Sequence, residues 1–189
     1  MNNIKTFKNF NEQDIFKYIE NRDIQSIKNY IDSGYDLNIQ NEYSNTPLIL
    51  ATLSNKIEIV KLLLDSGADI DKQNNDGYTA LILAVMYNNL EIVELLLNAG
   101  AYIDKQNNDG DTALILAAYK NNSEIVEILL DYGADEFILN DDKSFYDFLN
   151  TENQQYFTQN YPTSVYKAIY HNYKKSFTEF VKDYNIKNN

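Results

Sequence analysis

Oxygen-bearing side chains are the first candidates for chemistry in this chain. Asp71-Lys72-Gln73-Asn74-Asn75-Asp76-Gly77 gathers carboxylate and amide oxygens beside a glycine, the composition of a loop that ligates a hard cation. The spacing refuses that reading. Counted back from Gly77, the first ligand position of a calcium loop falls on Lys72, and the position of its bidentate glutamate falls on Leu83. Acid–base catalysis is no better served, since none of the 28 carboxylates pairs in a recognisable motif. His171 is the one histidine, which excludes any site built on two imidazoles. With no cysteine there is neither a disulfide framework, nor a thiolate ligand, nor a thiol nucleophile. All six glycines serve helix ends and turns, which leaves none to cradle a phosphate. The expectation is a chain with no catalytic residue, no metal and no cofactor, and not an enzyme.

The glycines lead to the elements. Gly34, Gly67, Gly100 and Gly133 follow one another at 33 residues, and Gly77 and Gly110 keep the same interval. Thr46, Thr79 and Thr112 repeat it, as do Leu48, Leu81 and Leu114. A fixed period in this range predicts a stack of supersecondary units, each resting mainly on its neighbours. One unit reads as turn, short helix, loop, longer helix. Thr46-Pro47 starts a helix: the hydroxyl caps free amides, and proline at the first helical position sacrifices no hydrogen bond. Asn88-Asn89 and Asn121-Asn122 interrupt the chain where a left-handed residue must end the short helix. Ile57–Leu64, Leu90–Leu97 and Ser123–Leu130 form the longer helices. Their apolar positions are too many for an exposed helix, so they are buried between repeats.

These segments resemble ankyrin repeats. Glu58-Ile59-Val60-Lys61-Leu62-Leu63-Leu64-Asp65-Ser66-Gly67-Ala68-Asp69 matches the second-helix pattern of that family, and Glu91–Ala101 and Glu124–Asp135 match it again. The resemblance covers roughly residues 14–149. It implies an all-α ankyrin-repeat solenoid of helix-turn-helix units with short hairpin-like turns, degenerate terminal caps and a C-terminal amphipathic helix. The expected divisions are an N-terminal capping half-repeat at 11–40, repeats at 41–73, 74–106 and 107–139, a degenerate cap at 140–162 and an amphipathic helix at 163–189. One departure bears on the turns. Ile49, Ile82 and Ile115 stand where the family carries a histidine that ties the turn by hydrogen bonds, so packing is expected to replace polar bonding there. Ser44 stands at the turn-glycine position of the first full repeat.

The resemblance also implies the function, a protein–protein interaction module whose partner contacts the turn tips and the exposed side of the first helices. Carried over by position, the tips are Glu42, Tyr43, Asn45, Asn75, Asp76, Tyr78, Asn108, Asp109 and Asp111. The helix positions are Leu53, Ser54, Met86, Tyr87, Tyr119 and Lys120. Tyr43, Tyr78, Met86, Tyr87, Asp109, Asp111, Tyr119 and Lys120 are the candidate contact residues of this concave face, because interfaces favour tyrosine and methionine as anchors.

Charge narrows the partner. The formal net charge is −12, and the five lysines after Thr163 leave residues 1–162 at −15. Nucleic-acid phosphate and anionic lipid both require cationic surfaces, so neither is the expected ligand. A basic protein partner fits; an acidic inhibitor or immunity-type protein that neutralises a basic toxin or enzyme is the alternative reading, and an enzyme or ion-binding protein on a repeat scaffold the weakest. Tyr166, Ile169, Tyr170, Tyr173, Phe177, Phe180, Val181 and Tyr184 form a helical apolar stripe, expected to cap the stack, with self-association the less favoured use. Met1–Phe10 has no apolar core and no 18-residue apolar run occurs. A cytoplasmic setting is therefore expected, or a host cytosol reached by a signal-less route.

Overall fold

The computed structural model describes residues 11–140, 143 and 145–160. The apolar stripe within 163–189 lies outside the described residues. Helices follow in pairs: α1 (Asp14–Glu20) and α2 (Ile24–Asp32), α3 (Pro47–Leu53) and α4 (Ile57–Asp65), α5 (Ala80–Met86) and α6 (Leu90–Asn98), α7 (Ala113–Tyr119) and α8 (Ser123–Asp131), then α9 (Phe145–Phe148) and α10 (Thr151–Asn160). Among the described residues the extended chain makes one isolated antiparallel bridge, between Asn140 and Lys143, and no strand. First helices pack in a row, α1 on α3, α3 on α5, α5 on α7 and α7 on α9, while α4, α6 and α8 form a second row behind them. This is an all-α solenoid.

Local chemistry sets each boundary. The Thr46, Thr79 and Thr112 hydroxyls accept from the amides of Ile49, Ile82 and Ile115 at 3.2 Å in all three units, which opens α3, α5 and α7. Asn55, Asn88 and Asn121 end those helices with φ of 49°, 57° and 54°, the left-handed conformation that asparagine tolerates best among side-chain-bearing residues. In the N-terminal unit Arg22 takes that place at φ 55°. The second helices close on a glycine in the same conformation. The Gly67 amide returns to Leu64 O and the Ala68 amide to Leu63 O, both at 3.0 Å, so two helix-end carbonyls are satisfied at once.

The core runs the length of the stack. Residues Ala80–Val85 of α5 are all buried, so this helix is enclosed on every side. Ala51, Ala84 and Ala117 hold one repeat position and are fully buried, which lets neighbouring first helices approach closely. Ile59, Val60 and Leu63 of α4, and their counterparts Ile92, Val93 and Leu96 of α6, fill the space behind them. At the N-terminal end the buried Tyr30 hydroxyl donates to Glu12 O at 3.0 Å and lies 3.3 Å from Asp36 O. Burial, then the charges of Glu12 and Asp36, push its pKa up to about 12.

Candidate functional site: the turn-tip face

Each turn is tied by the asparagine that opens it. Asn74 Oδ1 accepts from the amides of Asp76 and Tyr78 at 3.1 and 3.0 Å, and Asn107 Oδ1 from those of Asp109 and Asp111 at 3.0 and 2.8 Å. Asn41 does the same for Tyr43 and Asn45, both at 3.0 Å. The glutamine just before it joins turn to turn. Gln73 Nε2 donates to Gly77 O at 2.5 Å within its own turn and to Gln106 O at 2.9 Å in the next. Gln40 bonds Ser44 O and Gln73 O in the same way, and Gln106 bonds Gly110 O and Leu139 O. This corrects the expectation for the turns. Ile49, Ile82 and Ile115 are buried, and polar bonding survives without the histidine because a glutamine–asparagine ladder supplies it. The signal was present in the sequence: Gln40, Gln73 and Gln106 keep the same 33-residue spacing as the threonines.

The ladder fixes where the candidate contact residues stand. Tyr43, Tyr87 and Tyr119 are 63%, 58% and 68% exposed. Asp109 and Lys120 are exposed as well, whereas Tyr78, Met86 and Asp111 are half-buried. Asn45 is a correction, because it is buried and its Oδ1 accepts from Asn74 Nδ2 at 3.0 Å, so it holds the next turn in place of meeting solvent. Asp111 is likewise engaged, accepting from Asn140 Nδ2 at 2.5 Å. Tyr119 sits edge-on to the Phe148 ring, centroids 6.0 Å apart, and Lys143 Nζ lies 5.8 Å from the centroid of that ring. The last of these three candidate tyrosines thus adjoins the closing unit.

Electrostatics at the tips are one-sided. Burial raises the Tyr78 pKa, Asp109 and Asp76 raise it further, and the Asn107 amide pulls it the other way. Among the described residues the one salt bridge, Lys61 to Glu91 at 3.4 Å, joins the second helices α4 and α6. A separate cavity of about 280 Å³ lies at the other end of α3, lined by Arg22, Asn55, Lys56 and Glu58. Its lysine is already committed, since Lys56 Nζ donates to Ile19 O at 2.6 Å and Glu20 O at 2.8 Å. No described helix is long and apolar enough to cross a membrane.

Comparison with protein families agrees with this geometry. Residues 15–107 match the model described as ankyrin repeats (3 copies), and residues 102–148 match ankyrin repeats (many copies). The chain belongs to the ankyrin repeat family. A search of curated proteins finds no match. Ankyrin repeats are generally protein–protein interaction modules.

Proposed function

We propose that this ankyrin stack binds a partner protein along the face made by its turn tips and first helices, without catalysis. The observation that carries the reading is the exposure of Tyr43, Tyr87 and Tyr119, one from each of three successive units, beside helices whose other residues are largely buried. Tyrosine supplies a large, rigid contact area at small entropic cost, and large rings left in water on a well-packed fold are the usual anchors of an interface. We divide the chain into an end unit at 11–40, three repeats at 41–73, 74–106 and 107–139, and a closing unit at 140–162.

The charge of −12 and the exposed carboxylates Glu42, Asp76 and Asp109 favour a basic partner, whose association they would steer. An inhibitor that covers the active surface of a basic toxin or enzyme is one form of that reading. The test begins with affinity capture by the full chain from its native cell, followed by identification of the captured protein by mass spectrometry. Tyr43→Ala and Tyr87→Ala are then compared with the unmodified protein. Each is expected to weaken binding by about 2 kcal/mol, roughly 30-fold, with the melting temperature unchanged. Undiminished affinity in both variants would put the partner on another face.

A further inference from the structure

Two polar ladders run along the loops that follow the second helices, and both stop at the same unit. In the first, Asn38, Asp71 and Asp104 hold one repeat position, and each side-chain oxygen accepts an amide from the loop of the next unit. The donors are Asp69, Tyr102 and Asp135, at 2.7, 2.8 and 2.8 Å. In the second, Gln40, Gln73 and Gln106 donate forward to Gln73 O, Gln106 O and Leu139 O. One repeat further on, the two positions carry Phe137 and Leu139. Neither side chain can extend a ladder, yet every earlier occupant of these positions engages the unit that follows.

An end unit released from such bonding needs a polar outer face, because water is then its neighbour. This edge is apolar instead. Phe137 and Leu139 are 41% and 36% exposed, and Tyr132, which opens the same loop, is 45% exposed. Ser66 and Ala99 stand at the Tyr132 position in the two units before it. The last full repeat has therefore gathered three large side chains on an edge where earlier repeats carry polar or small ones. Large apolar groups collected at one exposed edge mark a surface that something covers.

The order of the chain points to the cover. Each loop lies over the loop of the unit before it and directly follows a second helix, as 99–106 follows α6 and 132–139 follows α8. The loop to lie over 132–139 would follow α10, and α10 ends at Asn160. The next stretch of sequence holds the apolar stripe of 166–184, with five lysines against Glu179 and Asp183. Its rings suit Phe137, Leu139 and Tyr132, and its positive charge suits the exposed Glu124, Asp131 and Asp135 of the same unit.

We propose that residues 163–189 lie back over the loop edge of the last full repeat, with the stripe on Tyr132, Phe137 and Leu139. The segment takes the place that the loop of a further repeat would fill. This does not rest on the turn-tip face being the contact surface. The full chain contains no cysteine, so one introduced thiol is a clean probe. Leu139→Cys is labelled with a maleimide in two backgrounds, one unmodified and one carrying Phe177→Ser and Phe180→Ser to break the stripe. Breaking the stripe is expected to speed labelling about tenfold, whereas Tyr43→Cys, remote from the edge, reacts alike in both. An unchanged Leu139→Cys rate overturns the proposal.

Melting supplies a second reading. Phe137 is exposed in the described structure, so Phe137→Ser opens no core. Phe137→Ser and the broken stripe are each expected to lower the melting temperature by about 2–4 °C, and together by no more than the larger of the two. Fully additive losses would show that the two surfaces do not meet. Light scattering separates this chain's own segment from that of a second copy. The unmodified protein is expected to be a monomer with a labelling rate independent of its concentration. A dimer whose dissociation speeds labelling would give the edge to a second copy and overturn the proposal.

Discussion

The turns at 41–45 and 74–78 occupy the same place in successive repeats and differ in how they close. The first ends in Ser44-Asn45 and the second in Gly77-Tyr78. Gly77 has φ 77°, and a Cβ added there would lie 2.5 Å from Asn108 Oδ1 and 2.6 Å from the Asn108 amide nitrogen. Ser44 already carries that Cβ at φ 56°, and the backbone bond across the seam beside it is longer. The Asn75 amide reaches Tyr43 O at 3.4 Å, against 3.1 Å for the Asn108 amide to Asp76 O one repeat on. The Ser44 hydroxyl offsets part of this by bonding Asn75 Oδ1 at 2.6 Å. At the next position the roles reverse, for Asn45 satisfies its neighbour and Tyr78 leaves one, the buried Asn107 Nδ2, unsatisfied. The first turn spends its side chains on holding the stack. The second holds through the Asn108 amide and side chain and packs Tyr78, half-buried, against the core.

The helices beneath both turns set the scale of effects. Leu96→Ala, within the fully buried face of α6, is expected to cost about 2–5 kcal/mol in denaturant unfolding, as a cavity in a close-packed row does. A loss under that range would mean the α6 row repacks around the gap. Gly77→Ala breaks the second turn directly. It combines a left-handed conformation unsuited to alanine with a contact against backbone, for an expected loss of about 2–4 kcal/mol. If unfolding shows the substitution to be neutral, the second seam opens as readily as the first.

Two smaller changes act on the first turn. Asn45→Ala would give Asn74 the same unpaired Nδ2 that Asn107 has now, at about 1–2 kcal/mol. No change in the urea midpoint would show that solvent replaces the lost acceptor. Ser44→Gly relieves the backbone but discards the bond to Asn75, so the two effects should cancel to within about 0.5 kcal/mol. A clear gain in stability would mean that backbone strain, and not the hydroxyl, dominates at Ser44.

Much of this architecture was legible before any coordinates. The threonine caps, the helix-ending glycines and asparagines and the apolar spacing each follow from interactions within about five residues of the chain, which sequence displays directly. The exposure of Tyr43, Tyr87 and Tyr119 was legible for the same reason, since their neighbours along each unit were committed to caps and core. Asn45, Tyr78 and Asp111 were not separable by that means. All three hold one position of the repeat and all three looked like tip residues. Whether each faces solvent is decided by an asparagine 29 residues later, which becomes a neighbour only when the repeats stack. The glutamine ladder was missed because each Gln lies in a polar stretch already explained by turn formation, so its second bond, across the seam, had no counterpart within the unit.

That second bond also bears on how such a chain can change length. Gln40, Gln73 and Gln106 each clasp their own turn and the one that follows, and each is preceded or succeeded by an equivalent partner. Excising residues 74–106 would place Asn107 directly after Gln73, re-creating the Gln-Asn junction already found at 106–107. The orphaned glutamine would find the Gly110 and Leu139 carbonyls in the places left by Gly77 and Gln106. Units of this kind behave as interchangeable cassettes whose junctions are already compatible. Duplication or loss of a whole unit by unequal recombination would therefore preserve the fold while lengthening or shortening the binding surface, whereas a gain of any other number of residues would unclasp it.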